Sequence, residues 1–150
     1  MLWLPVTMGV GSFVVDRLSK AYVAANMRLG QSIPVIENIF HITFKTNDGA
    51  AFSILSGKIP FLIGATLLII GLLVAFILVK KPKSKIFGIA VSLIISGAVG
   101  NLVDRIALGH VIDFFDARFI DFPIFNVADI CVVVGAALFC VYVYRSTDFE

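Results

Sequence analysis

Two aspartates, Asp113 and Asp129, are the residues best suited to chemistry, because each lies beside sequence apolar enough for a bilayer. Asp113 stands between Ile112 and Phe114, and a long apolar run follows Asp129. Ionisable groups in such positions are costly and by default mark a functional site. If the two carboxylates meet, they share one proton, so one activates a water while the other protonates a carbonyl oxygen. That is the chemistry of metal-independent peptide hydrolysis.

Sequence spacing leaves three interpretations of this pair open. The first is a catalytic dyad, and the second is a structural ion-pair network with Arg105. The third is a relay for protons or ions, as in a small proton-coupled transporter or channel subunit. Transport is disfavoured because the chain has no internal repeat and both carboxylates fall on one side rather than at the midplane.

Polar neighbours group with the aspartates by helical spacing. Asn126 and Asp129 are three residues apart, and Asn101 and Arg105 are four apart, so each pair shares a helix face. Asn47 lies in a turn signal, where it is either a plain turn residue or a polar group directed into a site.

Other ionisable residues are interpreted as bystanders. Asp104 precedes Arg105 and is expected to be structural, either as the partner of Arg105 or as an ion at the helix end. Asp116 and Asp121 are expected to be solvated interfacial charges. His110 is expected at the surface, because nothing near it in the sequence would orient it.

Composition places the chain in a membrane. Of its 150 residues, 59% are hydrophobic and 15% charged, and the mean hydropathy is +1.02, whereas soluble domains are about 25% charged. A spanning helix needs about 20 apolar residues. We therefore predict one all-α membrane domain over residues 1–150, with four transmembrane helices at roughly 2–22, 59–79, 86–104 and 125–144. The net charge of +2 is too small to indicate nucleic acid.

The loops predict an orientation and an outer structure. Lys80–Lys85 contains four lysines, so this loop and both termini are expected to be cytoplasmic and the first loop, Asn26–Gly57, outside. Within that loop Phe40–Lys45 alternates apolar and polar residues, which predicts a small β-containing element on the membrane surface. Ile106–Asp121 is predicted to be an irregular or short interfacial element. Both aspartates then lie on the outer side.

The first apolar run, Met1–Val15, has no basic start and is interpreted as part of a retained span rather than a signal peptide. Asp16 and Lys20 follow at a spacing of four, so they can pair on one helix face. The spacing favours an ordinary interfacial ion pair in which Lys20 extends to the membrane surface.

The outer half of the third apolar segment is rich in small residues, at Ser96, Gly97, Ala98 and Gly100. Small residues let another helix or a substrate backbone approach closely. The two cysteines, Cys131 and Cys140, are nine apart and are expected to be free thiols.

Four blocks, taken in order, resemble the prokaryotic lipoprotein signal peptidase (signal peptidase II) family. These blocks are Asp16–Lys20, Thr46–Phe52, Gly97–Arg105 with Gly109 and Val111–Phe114 after it, and Phe122–Asp129. The chain departs from the family pattern at Ile130, where serine is usual, and in its short amino terminus without a basic start.

The resemblance implies a membrane aspartic endopeptidase of the bacterial cytoplasmic membrane, with its active site on the extracytoplasmic side. It would remove signal peptides from diacylglyceryl-modified prolipoproteins, cleaving before the lipidated cysteine, and it would be blocked by cyclic peptides of the globomycin type. No metal or cofactor is implied, and we expect a monomer in membrane lipid. The resemblance implies catalytic roles for Asp113 and Asp129. The residues expected to line the site are Asn47, Gly49, Asn101, Arg105, Asn126 and Ala128, and those expected to be structural are Asp16, Lys20 and Asp104.

Overall fold

Four long helices and a three-stranded antiparallel sheet make up the computed structural model, which describes residues 3–50, 54–81 and 83–145. In chain order the elements are α1 (Trp3–Asn26), β1 (Ser32–Ile36), β2 (Phe40–Asn47), α2 (Ile59–Lys80), α3 (Lys85–Leu108), β3 (Val111–Ala117) and α4 (Val127–Arg145).

Helices α2, α3 and α4 are long and apolar enough to cross a membrane. They begin and end within a few residues of the predicted spans, because uninterrupted apolar sequence of this length forms a helix that satisfies its own backbone. Helix α1 is of similar length but carries Asp16, Arg17 and Lys20 in its second half. Helix α3 lies at the centre, where α4 and α1 pack against it, whereas α2 packs mainly against α3 and leaves most of its surface exposed.

Glycines set the close contact between α3 and α4. A Cβ atom on Gly97 would lie 2.2 Å from the carbonyl oxygen of Ala128, and one on Gly135 would lie 2.7 Å from that of Ala90. A Cβ atom on Gly100 would lie 2.6 Å from a carboxylate oxygen of Asp16 on α1. The space beside Gly97 and Gly100 on α3 is thus filled by α4 and α1.

The sheet has the order β1-β2-β3 and packs against the end of α1. Strands β1 and β2 form a hairpin, and β2 pairs antiparallel with β3, with Lys45 opposite Asp113. Ile112 and Phe114 of β3 are buried with Val23 of α1, and Ile42 packs against them.

The irregular form offered for Ile106–Asp121 was wrong, since this segment contains the end of α3 followed by a regular strand. Gly109 ends the helix at a φ of 74°, a left-handed conformation that glycine adopts without strain. The chain then turns back toward β2, whose backbone groups pair with those of β3. An otherwise all-α prediction therefore missed the third strand.

Candidate active site

Asp113 is positioned by strand β3 and is 2% exposed. Its neighbours Ile112 and Phe114 face the apolar cluster against α1, so the alternation of the strand turns the Asp113 side chain the other way. There the Nδ2 group of Asn126 donates a hydrogen bond of 2.7 Å to its Oδ1 atom.

Asp129 is positioned by the first turn of α4. Asn126, just before that helix, accepts a hydrogen bond of 3.0 Å from the Asp129 backbone N–H through its Oδ1 atom. In return, Oδ2 of Asp129 accepts from the Asn126 backbone N–H, also at 3.0 Å. This reciprocal arrangement is a capping box, which satisfies two backbone donors and holds both side chains in place.

Two amides join the carboxylates. The Nδ2 group of Asn126 lies within hydrogen-bond distance of Asp113 and, at 3.2 Å, of Oδ1 of Asn101. The Nδ2 group of Asn101 donates to Oδ1 of Asp129 at 2.8 Å. Side chains from β3, α3 and α4 thus meet in one hydrogen-bond network, with Asp113 at one end and Asp129 at the other.

The electrostatics of the site favour a retained proton on Asp113. Burial raises the pKa of Asp113 to about 6, and the charge of Asp129 acts in the same direction. The amides of Asn126 and Asn47 and the charge of Lys20 oppose this rise by stabilising the ionised form. Such a pKa keeps a fraction of the carboxyl groups protonated near neutral pH, unlike an ordinary aspartate.

Both aspartates line a cavity of about 570 Å³. One part of its wall is polar and includes Asn47, Asn101 and Arg105. The rest is apolar and extends along α2, α3 and α4. These apolar wall residues include Ile69, Ile94, Ala98, Ile130, Val132, Val133 and Val134. The site is therefore a polar centre beside a groove among the membrane helices.

Arg105 has an unused donor at this cavity. Its Nη2 group donates to the carbonyl oxygen of Gly49 at 3.0 Å, while its buried Nε atom has no hydrogen-bond partner among the described residues. The Gly49 N–H donates to Oδ1 of Asn47 at 2.9 Å, so Asn47 both shapes the turn and lines the cavity. Ala51 and Phe52, which belong to the second resemblance block, lie outside the described residues.

Behind the site lies a buried ion cluster that corrects two predictions. Lys20 is fully buried rather than interfacial, with its Nζ atom 3.1 Å from Asp16 and 2.9 Å from Asp104. Asp104 pairs with Lys20 and with Arg17, not with Arg105. A buried lysine needs carboxylate partners, and the second one comes from α3, a helix about 80 residues further along the chain.

The remaining predicted residues are placed as follows. Ala128 is fully buried between helices, and its N–H donates to Asp16 at 2.9 Å. Asp116 is not a freely solvated charge, because Thr43 donates to it at 2.6 Å and Arg118 pairs with it at 3.0 Å. Asp121 is exposed, as predicted. Cys131 and Cys140 are free, the first buried and the second exposed.

Two residues of the site region were missed by sequence reasoning. Arg17 binds Asp104, and its signal was a second cation beside Asp16 within an apolar segment. Thr66 of α2 lines the cavity and had no signal, since a single threonine in an apolar helix usually bonds its own backbone, as this one does.

Comparison with known proteins identifies the family. A sequence profile described as Signal peptidase (SPase) II matches residues 8–145. The chain belongs to the signal peptidase II family. This membership makes it a membrane protease, in agreement with the apolar helices around the cavity.

Individual relatives agree over nearly the whole chain. The lipoprotein signal peptidase of Clostridium acetobutylicum is 40% identical over 148 residues, which cover 97% of this chain and 94% of that protein. That of Lactiplantibacillus plantarum is 35% identical over 150 residues, covering 99% of each. A bacterial membrane enzyme solved at 2.3 Å resolution has a TM-score of 0.91 at 34% identity, covering 98% of this chain and 91% of that one.

Ile130 stands where the sequence resemblance leads us to expect a serine. It is 41% exposed and lies on the cavity wall directly after Asp129. Because isoleucine has no polar side-chain atom, it extends the apolar surface of the groove up to the second aspartate.

Proposed function

We propose that this protein is an aspartic endopeptidase that removes the signal peptide from diacylglyceryl-modified prolipoproteins, cleaving before the lipidated cysteine. The observation that carries the proposal is the pair Asp113 and Asp129, joined through Asn126 and Asn101 at a cavity among apolar helices. Membership of the signal peptidase II family supports prolipoproteins as the substrates. No observation favours the transporter alternative.

The two aspartates take different roles. Both oxygens of Asp129 accept hydrogen bonds from N–H groups, an arrangement suited to an ionised carboxylate. Asp113, whose pKa is raised to about 6, holds the shared proton. Asp129 is therefore the general base that takes a proton from water, and Asp113 is the general acid that protonates the carbonyl oxygen of the scissile bond.

The reaction proceeds through a neutral tetrahedral intermediate. The water oxygen bonds to the carbonyl carbon as its proton moves to Asp129 and the proton of Asp113 moves to the carbonyl oxygen. The carbon–nitrogen bond then breaks as Asp129 returns its proton to the leaving nitrogen. Asp113 recovers a proton from one hydroxyl of the intermediate, which leaves a carboxylic acid and an amine. The dyad is restored to its starting state, and no cofactor is required.

The cavity positions the substrate for this step. The apolar walls of α2, α3 and α4 receive the signal peptide, while the diacylglyceryl chains remain in the surrounding lipid. The free Nε group of Arg105 donates to a backbone carbonyl of the substrate. Asn47, which also lines the cavity, contacts the polar backbone of the substrate. A cyclic peptide of the globomycin type would compete for the same cavity.

The membrane arrangement that fits this function has four spans, because α1 crosses the membrane together with α2, α3 and α4. Its charged residues are compensated, because Asp16 and Lys20 pair with each other and Arg17 and Lys20 pair with Asp104. The lysines of Lys80–Lys85 support a cytoplasmic position for that loop and both termini, with the aspartates on the extracytoplasmic side of the bacterial cytoplasmic membrane. We propose that the protein acts as a monomer.

The direct test is cleavage of a purified diacylglyceryl-modified prolipoprotein by the protein in detergent or lipid. We expect one cut before the lipidated cysteine, with the same rate in EDTA as without it, because the proposed chemistry uses only carboxylates. Mass spectrometry of the products locates the cut. The unlipidated precursor is the control substrate and is expected to be cleaved poorly. Cleavage that is lost in EDTA would contradict the proposed mechanism.

The pH dependence of cleavage tests the assignment of roles. Asp113 must be protonated in the free enzyme, and with a pKa of about 6 it holds its proton below that pH and loses it above. We therefore expect kcat/KM to fall as pH rises through about 6. We expect the corresponding fall in kcat at a higher pH. Bound substrate excludes water from the carboxylates, and this raises the pKa of Asp113 further. A kcat/KM that instead rises through this range would reverse the roles of the two aspartates.

A further inference from the structure

We propose that Lys20 is a positioning residue for the dyad, acting on Asp129 through the side-chain amide of Asn101. The inference rests on the proposed function and assigns Lys20 a part in it beyond pairing with buried carboxylates. Its Nζ atom donates to Oδ1 of Asn101 at 2.8 Å, and the Nδ2 group of Asn101 donates to Oδ1 of Asp129 at 2.8 Å. A buried cation on α1 is thus one amide away from the ionised member of the pair.

The lysine determines which way the Asn101 amide faces. An ammonium group donates only, so it must meet the oxygen end of the amide. The nitrogen end is then directed at Asp129, which needs a donor. A rotated amide would place its NH₂ group against Lys20 and its oxygen against the carboxylate, and both contacts would be repulsive. Lys20 therefore selects the one orientation that supports the ionised base.

The same contact reaches Asp113. The Asn126 amide donates both to Oδ1 of Asn101 and to Asp113. Lys20 anchors the oxygen that Asn126 also uses, and its positive charge stabilises the ionised form of Asp113. One buried cation accordingly orients the two amides and limits the repulsion between the two carboxylates.

Arg17 provides a matched comparison. Both cations pair with Asp104, and both lie on α1. Lys20 contacts Asn101, whereas the hydrogen bonds of Arg17 go to Asp104 and the Gly100 carbonyl. Loss of either cation weakens the ion cluster, but only the loss of Lys20 releases the amide that holds Asp129.

The experiment removes Lys20 together with one of its carboxylate partners, so that buried charge stays balanced in the double variant. Asp16→Asn/Lys20→Met removes one negative and one positive charge, and Asp16→Asn alone is its reference. Folding is checked by thermal unfolding in detergent. We expect kcat to fall on the order of 10- to 100-fold relative to the reference, because Asp129 loses its fixed donor, with KM within about 3-fold because the cavity wall is intact. Arg17→Met is expected to keep wild-type turnover.

Direct titration supplies a readout independent of cleavage. The charged groups around the dyad come from α1, β2 and α3, and they are Asp16, Arg17, Lys20, Lys45, Asp104 and Arg105. Carbon-13 NMR of labelled aspartate carboxylates is expected to show the midpoint of Asp113 about one pH unit higher in the double variant than in Asp16→Asn, since a nearby positive charge is gone. If wild type fails to cleave prolipoprotein, the proposed function fails, and this midpoint still decides whether the charge of Lys20 acts on the dyad.

Two further variants separate orientation from charge. Asp16→Asn/Lys20→Gln restores a donor without a charge, so we expect most of the turnover to return while the Asp113 midpoint stays raised. Asn101→Asp keeps a partner for Lys20 but removes the N–H that Asn101 donates to Oδ1 of Asp129, and it is expected to fold and to lose turnover on the order of 10- to 100-fold. A folded double variant with the turnover and midpoint of Asp16→Asn would overturn the proposal, as would normal turnover in Asn101→Asp.

Discussion

Replacing either Asp113 or Asp129 by asparagine is expected to lower kcat by ~10³-fold or more while the protein remains folded, because each variant removes one of the two proton transfers. Asparagine is nearly the same size as aspartate and can still accept at its Oδ1 atom. The network through Asn126 and Asn101 therefore keeps part of its hydrogen bonds. Turnover of a diacylglyceryl-modified prolipoprotein, measured per folded molecule, checks this result.

Asp121→Asn is the matched control for both substitutions. Asp121 is exposed and lies in the segment between β3 and α4. Its neutralisation changes the net charge by the same amount without touching the cavity, so turnover is expected to be unchanged. Binding of the lipidated substrate is expected to survive in the two dyad variants. Activity that persists in both of them would end the dyad hypothesis.

The apolar helices could be predicted from sequence because each one forms from a single continuous apolar segment. Helix α2 was predicted at 59–79 and is found at Ile59–Lys80, since an uncharged apolar run of this length has few other structures available in a bilayer. The grouping of Asn126 with Asp129 was also local, because Asn126 directly precedes α4 and Asp129 lies in its first turn. Helical spacing alone places their side chains together.

Features that depend on distant partners could not be predicted in the same way. The spacing of Asp16 and Lys20 showed that they can pair, but the burial of Lys20 depends on Asp104 from α3. Strand β3 was missed because its residues are mostly buried and do not alternate simply. Its strand structure depends on pairing with β2, about 70 residues earlier.

The convergence of the two aspartates also depends on contacts between residues that are far apart in the sequence. Asp113 lies on a strand and Asp129 on a helix, and the network that joins them passes through Asn101 of α3. No periodicity links these positions. The resemblance of the sequence blocks to a known family selected this pair among the seven aspartates between Asp16 and Asp129, whereas spacing alone left three interpretations open.

Gly97→Ala is expected to destabilise the protein by about 3 kcal/mol, the upper end for overpacked cores, because the added methyl group would lie 2.2 Å from the Ala128 carbonyl oxygen. Backbone of a neighbouring helix cannot rotate away as a side chain can, so α3 and α4 must separate. Gly71→Ala in α2 is the matched control, since nothing lies within 4 Å of its added Cβ atom. There the substitution is expected to be neutral or stabilising by up to ~1 kcal/mol. Thermal unfolding of the two variants in one detergent gives the comparison.

The same substitution also tests how the helix contact supports the site. The oxygen displaced by the new methyl group belongs to Ala128, the residue directly before Asp129. A shift of that turn by about 1 Å moves the base away from Asn101 and from the attacking water, which costs on the order of 10²-fold in turnover. Folded Gly97→Ala protein should therefore be slow as well as unstable, while Gly71→Ala keeps wild-type turnover. Normal stability in Gly97→Ala would contradict the packing, and normal turnover in a destabilised variant would mean that the α3–α4 contact does not position Asp129.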